Sequence, residues 1–117
     1  MPILKLYKDK NIDCKMDLVS IEDYLIKMMN TELNARLENC QIIWIATEML
    51  KSEYKIYGEL LLRKNENRTN LMKNNFLNKI GKNLSKSFST NIRLRSFSIK
   101  DELINAAQIK LGEDDDG

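Results

Sequence analysis

Apolar and polar positions come in blocks along this chain, and the order of the blocks occurs twice. Residues 2–8 open with Pro2-Ile3-Leu4-Lys5-Leu6-Tyr7, an apolar run that reads as a strand, and a polar turn follows at Lys8-Asp9-Lys10-Asn11. From about 16 to 33 the spacing becomes helical, with Leu18, Ile21, Leu25 and Met28 as the apolar stripe. Asp17 stands where a cap or first-turn acid belongs. Gln41-Ile42-Ile43-Trp44-Ile45-Ala46-Thr47 is nearly all apolar and rich in β-branched side chains. Such a run predicts a central strand buried on both faces, as in parallel pairing.

The order then returns. Residues 54–63 read as a third strand, and Lys64-Asn65-Glu66-Asn67 as a turn. A second helix begins near Thr69, its buried stripe running through Met72, Phe76, Ile80 and Leu84, with Leu77 and Phe88 beside it. Gly81 weakens that helix by about 1 kcal/mol relative to alanine, so the prediction rests on periodicity. Residues 92–99 form a fourth strand, and a short helix is expected around 101–108. The final stretch, 109–117, ends in Glu113-Asp114-Asp115-Asp116 and reads as a solvated, disordered tail.

These elements predict an α/β (α+β) fold: a tandem β-α-β repeat giving a four-stranded mixed sheet with two helices on one face. It occupies residues 1–108 as one domain, with 2–47 as the first unit and 54–99 as the second. Each unit joins its strands through a right-handed crossover. Two helices cover one face of the sheet only, yet Ile42, Trp44 and Ala46 alternate with Ile43 and Ile45. The uncovered face therefore calls for a partner, and an oligomer packed sheet-inward follows. A ferredoxin-like monomer shares the element order, but its bare face is normally more polar.

Composition narrows the chemistry. The 117 residues carry a net charge of +2, which gives no general drive toward nucleic acid or a membrane. Lys73, Lys79, Lys82 and Lys86 on the second helix are the best case for a nucleic-acid surface, but they lack interleaved aromatics. No apolar stretch approaches the roughly 18 residues of a membrane helix, and no signal peptide opens the chain. Cys14 and Cys40 have no metal-ligand spacing and read as free thiols, so a cytoplasmic location is expected. With no histidine, Ser-His and Cys-His nucleophile pairs and His-ligated metals are excluded, and no glycine-rich phosphate loop is present. No metal and no cofactor are expected.

Pro2, the sole proline, directly follows Met1. Removal of Met1 leaves a secondary amine on a ring that cannot rotate away, and an α-amino group titrates near ~8. Nearby cations or an apolar pocket lower that value, making the amine a free base at neutral pH. Arg93 and Arg95, two apart on a strand, share a face, and a guanidinium pair so placed suits bidentate carboxylate binding. On the residues alone, solvated surface charge remains open for both, as it does for Arg36. Tyr54 reads equally as a pocket wall, an acid or ordinary strand packing.

Together these segments resemble the tautomerase superfamily, which includes 4-oxalocrotonate tautomerase (4-OT), 5-carboxymethyl-2-hydroxymuconate isomerase and macrophage migration inhibitory factor. Thr47-Glu48-Met49-Leu50-Lys51, followed by Ile56-Tyr57-Gly58-Glu59-Leu60, is similar to the T-E-M-x-K then I-x-G-E-L of the first. Asn67-Arg68-Thr69 is similar to the N-R-S of the third, and Trp44 matches a strand tryptophan of the second. The resemblance covers about residues 2–107. It implies a homotrimer with sites at subunit interfaces and Pro2 as a general base moving a proton in a small 2-oxo or enol carboxylate. It also implies pocket roles for Arg36, Arg93, Arg95 and Tyr54, with Arg93 and Arg95 reaching a neighbouring subunit's site. Ile43 stands where 4-oxalocrotonate tautomerase has an arginine, and the Cys-x-x-Cys of the inhibitory factor is absent, so substrate identity stays open. A non-catalytic trimeric binding protein of the same fold is the second reading.

Overall fold

The computed structural model describes residues 2–112. Its elements run β1 (Ile3–Asp9), α1 (Leu18–Leu33), β2 (Gln41–Thr47), β3 (Tyr54–Arg63), α2 (Asn70–Phe88) and β4 (Asn91–Ile99). The sheet order is β2-β1-β3-β4, parallel at both outer pairs and antiparallel between β1 and β3. Two β-α-β units thus meet side by side along the antiparallel central pair, as the doubled pattern predicts.

Each helix is started and stopped by the same devices. The Asp17 carboxylate accepts the Val19 amide at 3.1 Å, and the Thr69 hydroxyl accepts the Met72 amide at 3.2 Å. Both oxygens satisfy amides that have no partner inside the first turn. Asn34 and Ser89 end the helices in the left-handed region, at φ 55° and 53°.

The core lies between the helices and one sheet face. Leu4, Leu6, Ile56, Leu60 and Leu62 meet Ile21, Leu25, Met29 and Leu33 of α1, with Phe76, Ile80, Leu84 and Phe88 of α2. Gly58 sits in this layer because a Cβ there would lie 2.5 Å from Leu94 Cδ2 and 2.9 Å from Leu6 Cδ2. The stripe of α1 holds Ile21 and Leu25 as expected but departs at both ends: Leu18 is exposed, and Met29 is fully buried with Met28 half-buried beside it.

Two further expectations are corrected. β2 is an edge strand rather than a central one, and its apolar run is only partly buried within the chain. Two-faced apolarity marks burial without saying whose chain supplies the cover. The helix expected over 101–108 is a single 3₁₀ turn at Asp101–Leu103, followed by irregular backbone. So short a helix needs packing to persist, and Leu103 is exposed. Of the predicted acidic tail, residues 113–117 lie outside the described residues.

Candidate active site

Strand register sorts the side chains of the second face. Lys5, Glu59 and Arg95 share one row across the sheet, and Tyr7, Tyr57 and Arg93 share the next. Neither helix covers this face, so Arg93 and Arg95 are both exposed on it.

A β-bulge shapes the entrance to β3. Tyr54 pairs with Asn91, but Ile56 pairs with Ile92, so Lys55 is an extra residue in the ladder. The bulge re-aims Tyr54, which would otherwise share the helix-covered side with Ile56. Its ring lies 4.4 Å from the Arg93 guanidinium carbon, a cation–π contact that orients the charged fork. Tyr54, Tyr57, Arg93 and Arg95, together with Met49 and Ser52, line a pocket of about 340 Å³. A larger groove of about 610 Å³ adjoins it between α2 and β4, where Lys82 and Lys86 join Tyr54 and Arg93.

Tyr57 was not anticipated. Its hydroxyl donates to Glu59 Oε2 at 2.9 Å, and its ring packs 6.0 Å from that of Tyr7. Burial raises the phenol's pKa and the hydrogen bond to Glu59 raises it further, against the opposing pull of Arg95. The phenol is therefore protonated at neutral pH. Only its row-mate Arg93, paired across β3 and β4, marks it as a pocket residue, and register is needed to see that.

Pro2 and Arg36 lie at the other end of the sheet. Pro2 is fully buried at the head of β1, its carbonyl accepting the Gln41 amide at 3.1 Å. Arg36 is exposed just before the turn leading into β2, and its carbonyl accepts the Cys40 thiol at 3.2 Å. Burial pushes that thiol's pKa up, although Arg68 opposes the shift. Pro2 precedes Ile3, which faces Leu61, and Leu61 faces Phe97. Arg95 is therefore two strand spacings away, about 10 Å, and about 10 Å further along the strand. One chain thus gathers Tyr54, Arg93 and Arg95, and holds Pro2 and Arg36 apart from them. Among the described residues, no cluster of acidic, cysteine or histidine side chains could hold a metal ion. Among them too, no helix is long and apolar enough to cross a membrane.

No protein-family model and no curated protein sequence matches the chain. Solved structures do match by shape. A fused 4-OT, solved as a wild-type symmetric trimer, superposes with a TM-score of 0.74 at 20% identity, covering 90% of this chain and 93% of the other. N1, a member of the cis-3-chloroacrylic acid dehalogenase (cis-CaaD) family, gives 0.71 at 13% identity, covering 89% and 79%. Pt0534 inactivated by 2-oxo-3-pentynoate gives 0.68 at 9% identity, covering 90% and 91%. At such identities the likeness shows the fold. It is the tandem β-α-β fold shared with these fused 4-OT and cis-CaaD family structures, as the sequence pattern predicts.

Proposed function

We propose that this protein is a cofactor-independent tautomerase, an isomerase that uses Pro2 as general base on a small 2-oxo or dienol carboxylate. The observation that carries the reading is Pro2 itself, a buried, backbone-anchored ring at the head of an inner strand of this fold. Removal of Met1 converts its nitrogen from an amide to a secondary amine. That amine takes a proton from the carbon α to the substrate carbonyl and returns it elsewhere on the conjugated system. Arg93 and Arg95 hold the carboxylate in bidentate fashion and favour the negative charge of the enolate. Arg36 is a second cation on the Pro2 side, and Tyr54 orients Arg93.

A homotrimer supplies what one chain separates. β2 and β4 are open edges and the second sheet face is uncovered, which supports self-association. In a head-to-tail ring, one copy's arginine pocket faces the next copy's Pro2. Fused 4-OT proteins of similar fold form symmetric and asymmetric trimers, in keeping with this arrangement.

Phenylpyruvate tautomerisation by the processed protein and by Pro2→Ala tests the base. General-base loss costs roughly 10²–10⁴-fold, tempered by the primary amine that alanine retains. Equal rates in a folded Pro2→Ala protein remove Pro2 from the mechanism. An inactive processed wild type that still binds carboxylates leaves the non-catalytic binding protein as the surviving reading.

A further inference from the structure

Asp9, the last residue of β1, is 4% exposed and is the one buried charged residue among those described. Its Oδ1 accepts the Asn11 amide at 2.9 Å, and its Oδ2 accepts the Met49 amide at 3.3 Å. Lys55 Nζ stands 3.7 Å from the same Oδ2 and also donates to the Met49 carbonyl. Both backbone polar groups of Met49 are thus held by one ion pair.

The segment so held needs an outside anchor. Residues 48–53 between β2 and β3 have no strand or helix of their own, and Leu50 is 83% exposed. Yet Met49 and Ser52 from this segment line the arginine pocket. The Ser52 hydroxyl accepts the Tyr54 amide at 3.0 Å and donates to the Tyr54 carbonyl at 3.1 Å, and Tyr54 stacks on Arg93. Contacts at both ends of a short piece of chain, Asp9 and Lys55 on Met49 and Ser52 on Tyr54, therefore link the buried carboxylate to the guanidinium. The bulge has a place in it: Lys55 is the extra residue, one position past the last β1–β3 pair, Lys8 with Ile56, and so comes level with Asp9.

We propose that Asp9 and Lys55 are positioning residues for the pocket, fixing the 48–53 segment and Tyr54 so that Arg93 and Arg95 meet a carboxylate in one geometry. This rests on the reading of that pocket as carboxylate-binding. Two other roles make different predictions. A purely structural clip lowers the folded fraction without changing affinity per folded site. A purely electrostatic role moves the two variants in opposite directions: Asp9→Asn leaves Lys55 unneutralised and tightens anion binding, whereas Lys55→Gln leaves the Asp9 charge and weakens it, an effect that salt screens.

The test uses the full processed chain as wild type, Asp9→Asn, Lys55→Gln, Lys55→Arg and the Arg93→Gln/Arg95→Gln double variant. The readouts are KM and kcat for phenylpyruvate, and Kd for 3-phenyllactate, a carboxylate that cannot enolise. Positioning predicts that Asp9→Asn and Lys55→Gln each raise KM and Kd about tenfold, with kcat per folded site nearly unchanged. Lys55→Arg, which keeps the cation, restores most of that loss. Lys55 is partly solvent-exposed, so its variants report even where Asp9→Asn folds poorly: under positioning the Lys55→Gln loss relative to wild type persists in high salt, where a through-space charge effect is screened. KM and Kd that follow the arginines but stay at or below wild type in Asp9→Asn, or a Lys55→Gln loss that vanishes in high salt, overturn the inference. Values that ignore the arginines as well overturn the pocket reading beneath it.

Discussion

The two β-α-β units are built alike and finished differently. Each has an oxygen-capped helix ending in a left-handed non-glycine residue, and each ends in an edge strand parallel to an inner one. On the uncovered face, however, β2 presents Ile43 and Ile45, whereas β4 presents Arg93 and Arg95. The first unit also turns at its strand end with a buried carboxylate, Asp9, while the second opens with a bulge at Lys55. Scaffold and chemistry are therefore separable. Caps and core leucines make the unit, and a few residues on one edge decide whether it presents charge or an apolar surface.

The severest way to break this comparison is to ask whether the units are independent. One core cluster contains residues of both. Trp44 of the first unit donates to Glu22 at 2.8 Å and packs 5.8 Å from Phe88 of the second. Phe76→Ala, in the second unit, should cost about 3–5 kcal/mol and shift unfolding midpoints from Trp44 fluorescence and far-UV circular dichroism together. A Trp44 transition left in place while the dichroism midpoint falls would show two separately folding halves.

A smaller perturbation sharpens the likeness. Asp17→Ala and Thr69→Ala each remove one N-cap acceptor and should each cost about 1 kcal/mol in urea unfolding. Markedly unequal losses would mean that the two helices do not contribute alike despite matching ends.

The smallest effect fades in acid and concerns the first unit's carboxylate. The Asn11 amide is the largest influence on Asp9, and it outweighs burial with the help of the Met49 amide and Lys55, so its pKa lies below the ordinary value. A depressed carboxylate pKa contributes stability that is present above the unfolded value, near ~4, and is lost as pH falls through the folded value. Wild type should therefore exceed Asp9→Asn in urea midpoint at neutral pH, with the gap closing below about pH 4. A gap that stays constant down to pH 3 would remove the carboxylate's charge from the account.

Strand and helix placement is largely legible because the helical period marks Leu18–Leu33, while shortness and β-branched content mark Gln41–Thr47. The errors have physical sources. A stripe at Leu25 is compatible with Met28 or Met29 until α1 is rotated onto the sheet, and only packing decides. The run at 41–47 announces burial on both sides, which reads as a central place in one chain's sheet when the strand is in fact at its edge. In the site, Arg93 and Arg95 can be found from their two-residue spacing. Tyr54 joins them only through the bulge, which no local pattern announces. Asp9 and Lys55 are far apart in sequence and ordinary in type, so their pairing exists only once β1 and β3 lie side by side.

The open edge of β2 has a consequence for the life of the chain before any neighbour arrives. Gln41–Thr47 is seven residues long, rich in β-branched side chains and free of charge, proline and glycine. Those are the features of segments that stack into cross-β aggregates when a strand edge stays unpaired. Nascent copies at low abundance expose that edge longest, and heavy overproduction crowds many such edges together. Yield of intact protein should therefore respond to the rate of synthesis as much as to the stability of the finished fold.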